Sequence, residues 1–198
     1  MRGRRGWGLV PILVGALAYE CEARYGRLLA PYLEDPATLF VVSSDFCHWG
    51  TRFGFTFHAK ERVRRGAGGR PGTRACISTF HRSLSVTRRD PQGTLPSAAP
   101  WLPWPAGPQG LIHESVEWLD RQGMALIEGL DPAAFQAYLQ RYGNTICGRH
   151  PIAVFLQALQ HCATRHALRF TKYAQSQRVT HGRESSVSYA SAIVTAAV

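Results

Sequence analysis

Apolar positions along this chain follow two rhythms, one continuous and one helical. Leu9 to Leu17 is a short, nearly unbroken apolar run that reads as a buried strand. Leu39-Phe40-Val41-Val42, a fully apolar stretch rich in β-formers, is the clearest strand in the sequence. Between them, Tyr25, Leu28, Leu29, Tyr32 and Leu33 recur at helical spacing, which predicts a helix over Tyr19–Leu33 ending near Asp35-Pro36. Further on, Ile112, Val116, Leu119, Ala125, Leu126 and Ile127 give one apolar face to a helix over Leu111–Leu130. Asp131-Pro132 opens another, in which an Asp cap and an early proline suit the first turn. Phe135, Tyr138, Leu139 and Tyr142 form its apolar face, and Gly143 stops it. Pro151 to Ala163 is a further helix, and Leu168–Ala174 and Val187–Thr195 read as strands. Strands interspersed with helices argue for an α/β layered fold.

The stretch from Val63 to Gln109 breaks both rhythms. It holds seven of the twelve prolines, a Gly-Ala-Gly-Gly run, and Pro100-Trp101-Leu102-Pro103-Trp104-Pro105 near its end. No period of 2 or 3.6 persists through it, and so long a loop is unusual inside a compact domain. It reads as a disordered insertion or as a retained intron, since Val63-Arg64 is codable by a splice donor and Pro108-Gln109 by an acceptor. The domain therefore divides into residues 9–62 and 110–198, with residues 1–8 standing apart.

Charge changes the picture only locally. The net charge is +10, but residues 1–5 carry +3 and residues 60–110 carry +7, while the two flanks cancel. The basic residues thus sit outside the patterned elements, which argues against a nucleic-acid face. No apolar run is long enough to span a membrane. The basic start followed by Trp7–Leu17 lacks a long leucine-rich core and does not read as a secretory signal. The five cysteines are irregularly spaced without a C-x-x-C, which fits a reducing compartment better than a disulfide framework.

Two loops carry candidate chemistry. Ser43-Ser44-Asp45-Phe46-Cys47-His48-Trp49-Gly50 follows the clearest strand, and ligands gather beyond strand ends in α/β sheets. Asp45, Cys47 and His48 are residue types that bind metals or move protons, and Asp45 is placed to orient the His48 imidazole. The same residues also fit a structural loop, with Asp45 capping a turn and Cys47 buried as a small apolar group. Asn144-Thr145-Ile146-Cys147-Gly148-Arg149-His150-Pro151 enters a helix. There the helix start and Arg149 favour an anion such as a Cys147 thiolate, and Gly148 permits close backbone approach. A plain helix-entry turn is the other reading.

Taken together, Phe40–Gly50 (FVVSSDFCHWG) and Asn144–Pro151 (NTICGRHP) closely resemble the MEMO family, mediators of receptor-tyrosine-kinase-driven cell motility. Val10–Leu17 (VPILVGAL), Tyr173–Ser176 (YAQS) and Ser185–Ala190 (SSVSYA) strengthen the likeness. It covers residues 9–62 and 110–198, stops across the middle and resumes in register at Ile112. It corresponds to a C-terminal half of the family domain. The resemblance implies a partial class III extradiol dioxygenase-like fold with its front half missing. It also implies an iron or copper site in which Cys147 is a ligand, beside two histidines absent from this chain. Asp45 and His48 match residues lining that site, with His48 the candidate proton-transfer group and a further candidate ligand. The implied role is cytoplasmic, and also nuclear, signalling through phosphotyrosine peptides, with redox control. Metal-dependent dioxygenase-like catalysis and a fragment without function of its own are the alternatives.

Overall fold

The computed structural model describes residues 7–58 and 111–196. The expected insertion over 63–109 lies outside the described residues. Among those described, four α-helices and a three-stranded antiparallel sheet make a mixed α/β unit. The dioxygenase-type layering implied by the resemblance goes beyond what these three strands display.

The helices fall where the apolar spacing put them. Helix α1 spans Tyr19–Glu34, α2 Ile112–Glu128, α3 Pro132–Tyr142 and α4 Arg149–Gln160. At the start of α3, Asp131 accepts a hydrogen bond from the Ala134 N–H at 2.9 Å, and Gly143 ends the helix in the left-handed region at φ 61°. Helix α1 crosses α4 closely at Gly26, where a Cβ would lie 2.5 Å from the Gln157 Cβ. Glu22 is buried at this junction and pairs with His150 Nδ1 at 2.7 Å, so a carboxylate inside the helix contact has its partner. Helix α2 is buried on most of its circumference, from Ile112 and Val116 through Leu119 to Leu126 and Ile127, because it packs against both α3 and the sheet. No helix among the described residues is long and apolar enough to cross a membrane.

The sheet has the order β1-β3-β2, with β1 at His48–Trp49, β2 at His166–Gln175 and β3 at Ser186–Ala196. Pairing runs from His166 opposite Ala196 to Gln175 opposite Ser188, with a bulge between Phe170 and Lys172. Strand β1 adds to the other edge of β3 through His48 opposite Val187 and Trp49 opposite Ser186. That short pairing anchors the first candidate loop to the sheet. The core beneath it holds Trp49, Leu119, Phe135, Tyr138, Ile146, Leu156 and Val179. Trp49 is 1% exposed, and its indole N–H donates to the Phe57 carbonyl at 2.8 Å.

Two expectations fail. Neither Leu9–Leu17 nor Leu39–Val42 forms a strand, and both leave apolar side chains in solvent, with Leu13 100% exposed and Leu39 87% exposed. An unbroken apolar run suits a strand that has hydrogen-bonded neighbours and is covered on both faces. Among the described residues no strand pairs with either run. Leu39 and Phe40 instead border an open apolar groove of about 310 Å³, across from Phe155, Leu156, Phe170 and Ile193. Tyr189, on β3, is likewise 47% exposed. This apolar exposure predicts that the protein enhances the fluorescence of an environment-sensitive hydrophobic dye. The double change Leu39→Glu, Val41→Glu is expected to cut that signal by roughly half, as measured by dye titration.

Candidate metal centre

The two motif loops come together over 100 residues of sequence separation because their backbones pair. The Cys147 N–H donates to the Asp45 carbonyl at 3.3 Å, and the Asp45 N–H points back at Cys147 Sγ at 3.0 Å. Thr145 clamps the next residues: its hydroxyl accepts from the His48 N–H at 2.7 Å and donates to the His48 carbonyl at 3.0 Å. The Gly148 N–H donates to Ser44 Oγ at 2.9 Å, and a Cβ on Gly148 would lie 2.4 Å from the Ser44 Cβ. The close approach expected of this glycine is therefore real, and it is made to the other loop.

These contacts gather Asp45, His48 and Cys147. One ligand atom from each lies within 4.8 Å of the others. Asp45 Oδ2 is 3.8 Å from His48 Nε2, beyond a good hydrogen bond. His48 Nε2 is itself buried and has no hydrogen-bond partner, although the imidazole as a whole is partly exposed and meets the Phe53 ring edge-on at 5.1 Å. A buried ring nitrogen without a partner costs about 1–3 kcal/mol, a cost that a cation facing it would relieve. Atoms bound to one ion at about 2.0–2.3 Å lie roughly 3.3–3.8 Å apart. The three groups therefore fit a metal after small side-chain shifts, and they offer the nitrogen, sulfur and oxygen donors that first-row transition metals take.

Cys47 does not join them. It is fully buried in the core, where burial and the neighbouring Asp120 charge push its thiol far above the usual range. The Asp, Cys and His that stand together in the first loop are thus split by the alternation of the chain beside β1. Cys147 from the second loop takes the place that Cys47 would have filled. Cys21 lies exposed on α1.

Beneath the loops sits a group that motif reading passes over. Asp120 is completely buried on α2, and its Oδ1 accepts from the Cys47 N–H at 3.3 Å and from Asn144 Nδ2 at 2.9 Å. The Tyr173 hydroxyl donates to its Oδ2 at 2.9 Å. Burial raises its pKa to about 6 in spite of these hydrogen bonds. The sequence did carry a signal: Asp120 stands four residues after Val116 and next to Leu119, on the stripe that must face inward, and an acid there needs partners.

Comparison with known proteins agrees with the motifs and extends them. The model of the Memo-like protein family matches residues 4–193. Protein MEMO1 of Homo sapiens is 37% identical over 190 residues, covering 94% of this chain and 48% of that protein. Protein MEMO1 of Xenopus tropicalis is 38% identical over 185 residues, covering 92% of this chain and 46% of that protein. The Protein memo-1 homolog of Caenorhabditis elegans is 37% identical over 196 residues, covering 97% and 43% respectively. The chain thus spans about half the length of the curated relatives it matches. The likeness is not limited to a C-terminal half beginning at Leu9, as the motifs alone suggested, because the family match opens at residue 4 and runs to 193. With a family match over nearly its whole length, the chain belongs to the Memo-like protein family.

Proposed function

We propose that this chain is a metal-binding signalling protein of its family, with iron or copper held by Cys147 and His48 and with Asp45 as the third donor. The observation that carries the reading is that one ligand atom each of Asp45, His48 and Cys147 lies within 4.8 Å of the others, with His48 Nε2 buried and without a hydrogen-bond partner. A bound iron or copper ion supplies one-electron redox chemistry and a Lewis acid. The chain's own part is positional. Thr145 holds the His48 backbone from both sides, and the Asp45 N–H fixes the Cys147 sulfur. Asp45 Oδ2 stands 3.8 Å from His48 Nε2, on the same side as the proposed ion.

On this reading the family resemblance extends to a dioxygenase-like layering, to a role in cell motility and to recognition of phosphotyrosine peptides in the cytoplasm and nucleus. The alternative is metal-dependent, dioxygenase-like catalysis in which His48 transfers a proton. A phosphotyrosine peptide whose affinity survives chelation, measured by fluorescence anisotropy, supports signalling over catalysis.

The metal reading is tested by titrating the purified chain with cobalt(II), whose thiolate charge-transfer band reports a Cys–metal bond. Cys147→Ala is expected to abolish that band and His48→Ala to weaken binding by at least about tenfold, each removing one of three donors. Unchanged cobalt affinity in both variants would sink the assignment.

A further inference from the structure

A buried acid is an expensive way to fill a core. An unpaired carboxylate inside a protein loses hydration worth several kcal/mol, and an apolar side chain of similar size is often more stabilising. Asp120 therefore calls for a reason beyond packing, and its partners supply one. Cys47 stands between Asp45 and His48 in the first loop, and Asn144 opens the second loop three residues before Cys147. Both donate to the same Asp120 oxygen, at 3.3 Å and 2.9 Å. The bracing extends outward, since Asn144 Nδ2 also reaches the Tyr138 hydroxyl at 2.7 Å, and that hydroxyl donates to the Leu119 carbonyl at 2.8 Å. Tyr173 ties the other carboxylate oxygen to β2. One side chain on a rigid helix thus holds both site loops, while Asp45, His48 and Cys147 lie on their other side, toward solvent.

We infer that Asp120 is a positioning residue of the metal centre, bracing the Asp45–His48 loop and the Cys147 loop against α2 through Cys47 and Asn144. The inference rests on the metal reading above and assigns that site its supporting shell. Groups that orient ligands from behind in this way typically change metal affinity by about 10–100-fold when removed.

The arrangement of acceptors makes the test specific. In Asp120→Asn the retained Oδ1 still accepts from Cys47 and Asn144, while the new amide faces the Tyr173 hydroxyl, which is free to turn and accept. Asp120→Ala removes the brace entirely, and Asn144→Ala removes only its second arm. Each variant, in the full chain, is titrated with cobalt(II) and followed by its visible spectrum. Leu159→Ala, a buried change near the end of α4 outside the core cluster under the loops, serves as the control for lost stability. Asp120→Ala is expected to lose about 10–100-fold in affinity and Asn144→Ala about tenfold, with Asp120→Asn within about threefold of the parent. Should Asp120→Ala fail to fold, Asn144→Ala against Leu159→Ala decides the matter. Equal losses in Leu159→Ala, or unchanged affinity in both alanine variants, overturn the inference. If the parent chain binds no cobalt, the metal reading fails separately. Amide hydrogen exchange over residues 45–49 and 144–148 then tests the brace without metal: faster exchange in Asp120→Ala than in Leu159→Ala supports it, and equal exchange overturns it.

Discussion

Gly148→Ala is expected to lower the free energy of unfolding by about 2–4 kcal/mol and to separate the two site loops. The added Cβ would lie 2.4 Å from the Ser44 Cβ, 2.6 Å from its Oγ and 2.8 Å from the Ser43 carbonyl oxygen. Side chains in contact do not approach so closely, and the Ser43 oxygen belongs to backbone that a rotamer change cannot move. Relief requires the loops to part, which removes the Gly148 N–H bond to Ser44 Oγ and strains the pairing of Asp45 with Cys147 just beside it. Urea unfolding measures the stability loss, and the cobalt titration measures the separation. Ser44→Gly in the same chain takes away the nearest two contacts and is expected to recover part of both. A Gly148→Ala protein with parental stability and parental cobalt binding would mean that the loops do not meet at this point.

Stability is expected to fall as pH rises from about 4 to 6 through Asp120. Its carboxyl, ordinarily near 3.8, titrates in the folded protein at about 6, chiefly because burial penalises the charged form. Between those values the folded state keeps a proton that the unfolded chain has released. The contribution of this group is fully present below the ordinary value, is lost through the window and is constant above it. At 1.36 kcal/mol per pH unit the loss amounts to roughly 3 kcal/mol. Asp120→Asn removes the titrating group while keeping its shape, so the difference between parent and variant isolates this component from other acids and histidines. Urea unfolding at intervals between pH 4 and pH 7 provides the measurement. A difference that stays flat across the window would show that hydrogen bonding from Cys47, Asn144 and Tyr173 fully offsets desolvation, and one that rises with pH that it outweighs it.

Helices were legible in the sequence where apolar spacing and end signals agreed. Asp131, Pro132 and Gly143 bracket α3 to the residue, and the stripe from Ile112 to Ile127 marks α2. The pair β2 and β3 was legible within two residues at each end, because a half-buried strand announces itself in its own composition. Leu9–Leu17 and Leu39–Val42 misled for a physical reason: a continuous apolar run reports a demand for neighbours, while strand formation needs those neighbours to be present. At the site, the types of Asp45, His48 and Cys147 were readable as chemistry, and Gly148 was readable as a point of close approach. For Cys47 the sequence left a site role and a buried apolar role both open, since composition does not tell which side of the chain beside β1 a side chain takes, and the fold buries it.

The chain's own residue order thus decided the local matters: where helices begin and stop, which segments are apolar, and which loops carry reactive groups. These depend on interactions within a few residues and are written in neighbouring positions. Tertiary contact decided the rest. It joined Asp45 to Cys147 across 102 positions, turned Cys47 into the core, and set Asp120 beneath both loops. The reason is that hydrogen bonds between distant loops and the burial of a single acid depend on packing against elements far away in the chain, and no local spacing encodes that geometry.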